Sequence, residues 1–431
     1  MASSFSSFAS LAFMFMFLVF SGSPSLIHVD APNNTKLSLP SPSPSPSPSP
    51  IQFSLHHVST LLAGKNIRPQ HDRSTRRHYS SLQVTDAQGE YVVRVKLGFD
   101  TDLTAHLLFD TGSSLIWWQC KPCIVCYNQT DDFYDSEDPT ISSSFEPVEC
   151  DMCIPFGFDG KRNCTGGKCN FAYGYLDESK VQGVVGQEYV SDEDGGFQEY
   201  ITFGCANNNI GKFAGTYSGN LGFGRDNDLS FLGQVEATRF SYCFHSKVER
   251  ESTLYIESIP SFVDAHVGFD VPLIRNSQFY YVDFEGFSID GVPVPINNHT
   301  WKRDEDGGYG VVLDTGTPIT RLEQEAYIIF RDRFVKAIPN TKYHPVDGYD
   351  TCYRMLGWGL KYFPRVTLRF GKNKELDLTL AQMIIEPRQN VYCLAILPEP
   401  RRTILGSRLM RGTRFTYDVA RETVRVVPQA C

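Results

Sequence analysis

One pattern occurs twice in this chain and limits what it can fold into. Leu107-Leu108-Phe109-Asp110-Thr111-Gly112-Ser113 is matched by Val311-Val312-Leu313-Asp314-Thr315-Gly316-Thr317. Each copy runs from an apolar strand into Asp-Thr-Gly and then a hydroxyl residue. A second echo follows each copy: Gly219-Asn220-Leu221-Gly222-Phe223-Gly224 after the first, Thr403-Ile404-Leu405-Gly406 after the second. One Asp-Thr-Gly is an ordinary strand-to-turn sequence, because Asp and Gly both favour turns. Two copies with matched flanks, a lobe's length apart, imply two similar lobes that each supply one carboxylate to their interface. With 431 residues the chain is long enough for both lobes and a leader.

The pairing has a chemical rationale. Two carboxylates a few ångströms apart cannot both ionise cheaply, so they share a proton. The ionised member takes a proton from a water held between them. The protonated member donates to a carbonyl oxygen, and water attacks the amide without a covalent intermediate. Gly112 and Gly316 permit the tight turn and close approach. Thr111 and Thr315 are placed to bond across the two loops. Ser113 and Thr317 are placed to orient the carboxylates.

The body reads as β-sheet. Alternation marks Tyr91–Leu97 and Val366–Phe370, and the short apolar runs stop at Gly, Asn and Asp. The spacing predicts a helix over Glu323–Ala337, with Tyr327, Phe330 and Phe334 on one face. A net charge of −9 argues against nucleic acid as a main partner. That charge is unevenly spread. Residues 1–84 carry six Lys or Arg against two acids, a formal +4, which leaves −13 for the rest. All 12 cysteines lie at or after Cys120.

The leader opens with a 13-residue apolar run, residues 8–20, followed by Ser21, Gly22 and Ser23. The run is short for a bilayer span and reads as a signal peptide over 1–23. The Pro/Ser tract at 40–50 favours extended polyproline II and serves as a spacer. Cysteines downstream of a signal peptide imply disulfides, and this compartment favours them over a metal reading of Cys120-x-x-Cys123-x-x-Cys126. Sequons at Asn33, Asn128, Asn163 and Asn298 fit the secretory route.

On these residues the chain resembles a pepsin-type aspartic protease, and more closely the plant atypical branch that includes the nepenthesins and the constitutive-disease-resistance-type enzymes. The likeness runs from about Glu90 to Cys431. It is carried by Asp110 to Cys120 (DTGSSLIWWQC), Phe203-Gly204-Cys205, Phe240-Ser241-Tyr242-Cys243, Phe279 to Val282, Tyr349 to Tyr353, Cys393-Leu394-Ala395 and Ile404-Leu405-Gly406. The resemblance implies an all-β, bilobal fold of two related barrel-like lobes with the site in the cleft between them. It implies Asp110 and Asp314 as the dyad, no cofactor and no metal. It implies that Trp117 hydrogen-bonds a flap tyrosine. Tyr173-Gly174 best matches the flap's usual start, with Tyr175 as the alternative. The flap departs from the family pattern: the stretch from Tyr173 to Gly183 is two residues longer, with a bulkier and more acidic tip. The resemblance also implies Cys352–Cys393 and Cys243–Cys431 disulfides.

The resulting expectation is a secreted aspartic endopeptidase made as a zymogen. Residues 1–23 are the signal, 24–85 the propeptide, 86–267 the N-terminal lobe and 268–431 the C-terminal lobe. Polypeptides are the substrates and the propeptide the intramolecular inhibitor. The mature form is a monomer without a membrane span, delivered to the apoplast or vacuole. Acid is expected to loosen the propeptide as His56, His57, His71 and His78 gain charge and body carboxylates lose it. The second reading is a pepsin-fold binding or inhibitor protein with impaired catalysis.

Overall fold

A computed structural model describes residues 51–57 and most of 90–431. The signal segment and the remainder of the leader, with Asn33, His71 and His78, lie outside the described residues. The architecture is β throughout, with one long helix. A large sheet carries Asp110, a five-stranded sheet carries Asp314, and two four-stranded sheets complete the C-terminal half.

The large sheet runs through both halves of the chain. The C-terminal hairpin, Arg414–Asp418 with Thr423–Val427, pairs with Arg239–Cys243. From there the order passes through Ser252–Ile256, Ile51–His57, Tyr91–Leu97 and Thr104–Asp110 to Gly219–Gly222 and Trp117–Lys121. The path ends in a long meander of Gln198–Ile210, Lys180–Ser191 and Lys168–Gly174. Alternation drives this pairing. In Tyr91–Leu97 only Arg94 and Lys96 reach the surface, and the apolar positions lie in the core.

Ile51–His57 belongs by sequence to the 24–85 leader, yet it sits mid-sheet. It pairs with Ser252–Ile256 on one side and Tyr91–Leu97 on the other. Its own period of two explains this. Phe53, Leu55 and His57 face the core at 2%, 0% and 3% exposure, while Gln52 and Ser54 face outward. His57 Nε2 lies 2.8 Å from the Arg411 guanidinium, and its ring packs edge-on against Tyr91.

The helix spans Gln324–Ala337, with Tyr327, Phe330 and Phe334 buried. Glu323 caps it, accepting from the Glu325 and Ala326 backbone N–H groups. All twelve cysteines are paired: Cys120–Cys205, Cys123–Cys126, Cys150–Cys164, Cys153–Cys169, Cys243–Cys431 and Cys352–Cys393. Cys243–Cys431 fastens the chain's end to the sheet that joins the halves. Among the described residues no helix is long and apolar enough to cross a membrane.

Candidate active site

The two Asp-Thr-Gly loops meet at the ends of equivalent strands. Thr104–Asp110 lies parallel to Gly219–Gly222, which sets Asp110 opposite Gly222. Val311–Asp314 lies parallel to Thr403–Gly406, which sets Asp314 opposite Gly406. The sequence echo is therefore a structural one: in each half a Gly-ended strand runs beside the strand that delivers the carboxylate.

The loops lock through their threonines. Thr111 N–H donates to Thr315 Oγ1 and Thr315 N–H to Thr111 Oγ1, both at 3.0 Å. Each hydroxyl then crosses to the other half: Thr111 Oγ1 to Leu313 O at 3.1 Å, and Thr315 Oγ1 to Phe109 O at 2.7 Å. Both threonines are fully buried. This reciprocal set fixes the spacing of the neighbouring carboxylates, because each hydroxyl is used once as donor and once as acceptor.

Asp110 and Asp314 face each other across the two loops, each carboxylate lying against the opposite glycine. The inner oxygens accept from backbone: Gly112 N–H to Asp110 Oδ1 at 2.8 Å, and Gly316 N–H to Asp314 Oδ1 at 2.9 Å. The outer oxygens accept from hydroxyls: Ser113 to Asp110 Oδ2, and Thr317 to Asp314 Oδ2 at 2.7 Å. Glycine is required at 112 and 316, since a Cβ at either would overlap the opposite aspartate's carboxylate.

Burial raises both carboxyls above the usual range. Asp314 reaches about 7, driven first by burial and then by the adjacent Asp110 charge. Hydrogen bonds oppose the rise on both sides, from Ser113 and Gly112 at Asp110 and from Thr317 and Gly316 at Asp314.

Trp117 stands seven residues after Asp110. Its Nε1–H donates to the Tyr175 hydroxyl at 2.6 Å. This corrects the preference for Tyr173 as that partner. Tyr173 is paired within the hairpin ladder opposite Val181, and Gly174 is opposite Lys180. Tyr175 lies one step beyond, in a tip closed by Tyr175 N–H to Ser179 O at 2.8 Å. The two added residues carry the Trp-facing position from the strand's end into the turn. Tyr173 packs edge-on against Tyr175, ring centroids 5.1 Å apart. Leu176, at the tip, is 68% exposed.

Sequence reasoning did not give Asn220 a role. It is buried, and its amide donates to Ser113 Oγ at 2.9 Å. The available signal was the mismatch inside the second echo, where Asn220 stands against Ile404. The sequons Asn128, Asn163 and Asn298 are exposed. Among the described residues no group of His, Cys, Asp or Glu converges to hold a metal.

Comparison with known proteins agrees with this geometry. Residues 91–256 match the family model described as xylanase inhibitor N-terminal, and 279–427 the one described as xylanase inhibitor C-terminal. The chain is 31% identical over 356 residues to Protein ASPARTIC PROTEASE IN GUARD CELL 2 of Arabidopsis thaliana, covering 80% of this chain and 73% of that protein. It is 30% identical to aspartic proteinase nepenthesin-2 of Nepenthes gracilis, covering 80% and 78%. Among solved structures it resembles edgp (TM-score 0.62, 17% identity, 90% and 96% covered) and Basic 7S globulin from soybean (0.63, 14%, 88% and 97%). The mirrored loops, the shared fold and the extent of these matches lead to one conclusion: the chain belongs to the pepsin-type aspartic proteases, in their plant atypical branch.

Proposed function

We propose that this protein is a secreted endopeptidase, active in acid, that hydrolyses peptide bonds through a water held between Asp110 and Asp314. The observation that carries the reading is the facing carboxylate pair, Asp110 buried and Asp314 half-buried, held by mirrored donors in two interlocked loops. Ionised Asp110 takes a proton from the water as its oxygen attacks the scissile carbonyl carbon. Protonated Asp314 gives its proton to the carbonyl oxygen. The tetrahedral diol collapses as one hydroxyl proton returns to Asp314 and Asp110 passes its proton to the leaving nitrogen. The C–N bond breaks, a carboxyl and an amine are released, and the pair ends with one proton, as it began.

The active form is the singly protonated pair. Activity falls at low pH as Asp110 gains a proton, and at high pH as Asp314 loses its proton near 7. The Trp117–Tyr175 bond supports a flap role for the hairpin tip: held over the pair, it would shield the reaction from water. Residues 24–85 act as a propeptide, and the reading includes a monomer delivered to the apoplast or vacuole. A non-catalytic binding or inhibitor role is not favoured, because both Asp-Thr-Gly loops are intact and the relatives are named as proteases.

Cleavage of a denatured protein across pH 3–7 tests the reading. The expected result is acid-optimal hydrolysis blocked by pepstatin. Inactivity of the processed protein at every pH would overturn it. N-terminal sequencing of the mature form fixes the propeptide boundary: a start before Pro40 would contradict removal of the leader.

A further inference from the structure

We infer that Asn220 is a positioning residue that breaks the symmetry of the carboxylate pair, holding the negative charge on Asp110 and the proton on Asp314. The inference rests on the proteolytic reading above and deepens it.

The two halves are superposable by register. Asn220 precedes Gly222, which faces Asp110, and it lies opposite Leu108 and Trp117. Ile404 precedes Gly406, which faces Asp314, and it lies opposite Val312 and Arg321. Arg321 stands seven residues after its aspartate, as Trp117 does, so Asn220 and Ile404 are equivalent positions. Both are buried. One carries an amide and the other only hydrocarbon.

The amide's orientation is fixed by its second contact. Nδ2 lies 3.2 Å from the Leu115 carbonyl oxygen as well as 2.9 Å from Ser113 Oγ. A carbonyl oxygen only accepts, so the atom facing both is the nitrogen, and Ser113 Oγ accepts from it. Ser113 has one hydroxyl hydrogen, and that hydrogen goes to Asp110 Oδ2. A donor-to-donor relay results, amide to hydroxyl to carboxylate, in which each bond polarises the next toward a charged Asp110. Thr317 serves Asp314 in the same place without an amide behind it, because Ile404 has none to give. Since Asp110 is the oxygen base that receives the water's proton, fixing the charge there also fixes the direction of proton transfer.

Among the described residues, the other titratable side chains that interact with the pair are tyrosines: Tyr175 from the hairpin tip, and Tyr242 and Tyr417 from the sheet beneath. Burial raises all three further above their ordinary range, so they stay neutral in acid and do not compete for the assignment.

The test is the pH profile of kcat/KM for the processed wild type, Asn220→Ile and Ile404→Asn, each checked for folding. Asn220→Ile makes the first lobe like the second, and the acid limb should move up by as much as about one pH unit. Ile404→Asn supplies the missing donor, and the alkaline limb should move down by a similar amount. Limbs that stay in place in both variants, with kcat lowered equally at every pH, would mean that Asn220 only packs, and would overturn the inference. If Asn220→Ile does not fold, an unmoved alkaline limb in Ile404→Asn overturns it alone. A wild type inactive at every pH overturns the proteolytic reading and this inference together. An active wild type whose limbs ignore both substitutions overturns the inference only.

Discussion

The two Asp-Thr-Gly loops are near copies in backbone and unlike in the side chains behind them. Each has a buried threonine crossing to the other, a glycine N–H on the inner oxygen and a hydroxyl on the outer one. Burial raises both carboxyls, Asp314 to about 7 with the adjacent Asp110 charge adding to it. Symmetric backbone delivers two carboxylates to one place. The side chains behind them differ, with Asn220 standing where the second half has Ile404. A duplicated scaffold can thus hold an acid and a base with the same residue type.

Removing either carboxylate should have the largest effect. Asp110→Asn and Asp314→Asn should each lower kcat by at least about 10²–10⁴-fold, the usual worth of a positioned proton-transfer group. A cleavage assay over pH 3–7 measures it, and near-wild-type activity in either variant would remove that residue from the pair.

The halves also differ in what they borrow. The sheet of the first half incorporates the leader strand Ile51–His57. Phe53→Ala should cost about 3–5 kcal/mol of stability, as for other buried aromatics truncated to alanine. Denaturant unfolding of the full-length chain checks this. A loss below about 1 kcal/mol would show that the strand contributes little to the folded full-length chain.

Only the first half has a tyrosine-bearing hairpin tip bonded to the Trp117 indole. Tyr175→Phe should reduce kcat/KM by about tenfold, the loss of one well-made hydrogen bond. Tyr173→Phe should do less. The reverse ranking would restore Tyr173 as the functional partner.

The smallest effect concerns stability and its sign. A carboxyl raised on folding binds more protons in the native state than in the unfolded one, so stability falls as pH rises from about 4 to about 7. Asp314→Asn removes that penalty. Its Tm should exceed wild type at pH 7 and differ little at pH 4. An equal difference at both pH values would contradict the raised Asp314 carboxyl.

Much of the site was legible in the sequence because its parts are local. Asp-Thr-Gly-Ser/Thr places carboxylate, locking hydroxyl, close-approach glycine and orienting hydroxyl within four consecutive residues. The helix over residues 324–337 was equally readable from its aromatic spacing, down to Glu323 at its start. Tyr175 was harder. Tyr173 and Tyr175 are two residues apart, so a strand continued through both would put them on the same face. Only the position of the turn separates them. The leader strand was harder again. Its alternation covers seven residues beside a basic, polar stretch, and its value comes from two partners, one of them about 200 residues away.

The sequence alone determined the chemistry: two carboxylates, the residues that hold them, and a β framework in two related halves. Those properties follow from short motifs and a period of two, which need no distant partner to be read. Tertiary structure decided what depends on meeting across the chain. It set Tyr175 against Trp117, drew Ile51–His57 into the sheet, and brought Asn220 behind Ser113, 107 residues away. The physical reason is common to all three. A hydrogen bond or strand pairing is selected by geometry at contact, and that geometry exists only once the sheet has closed.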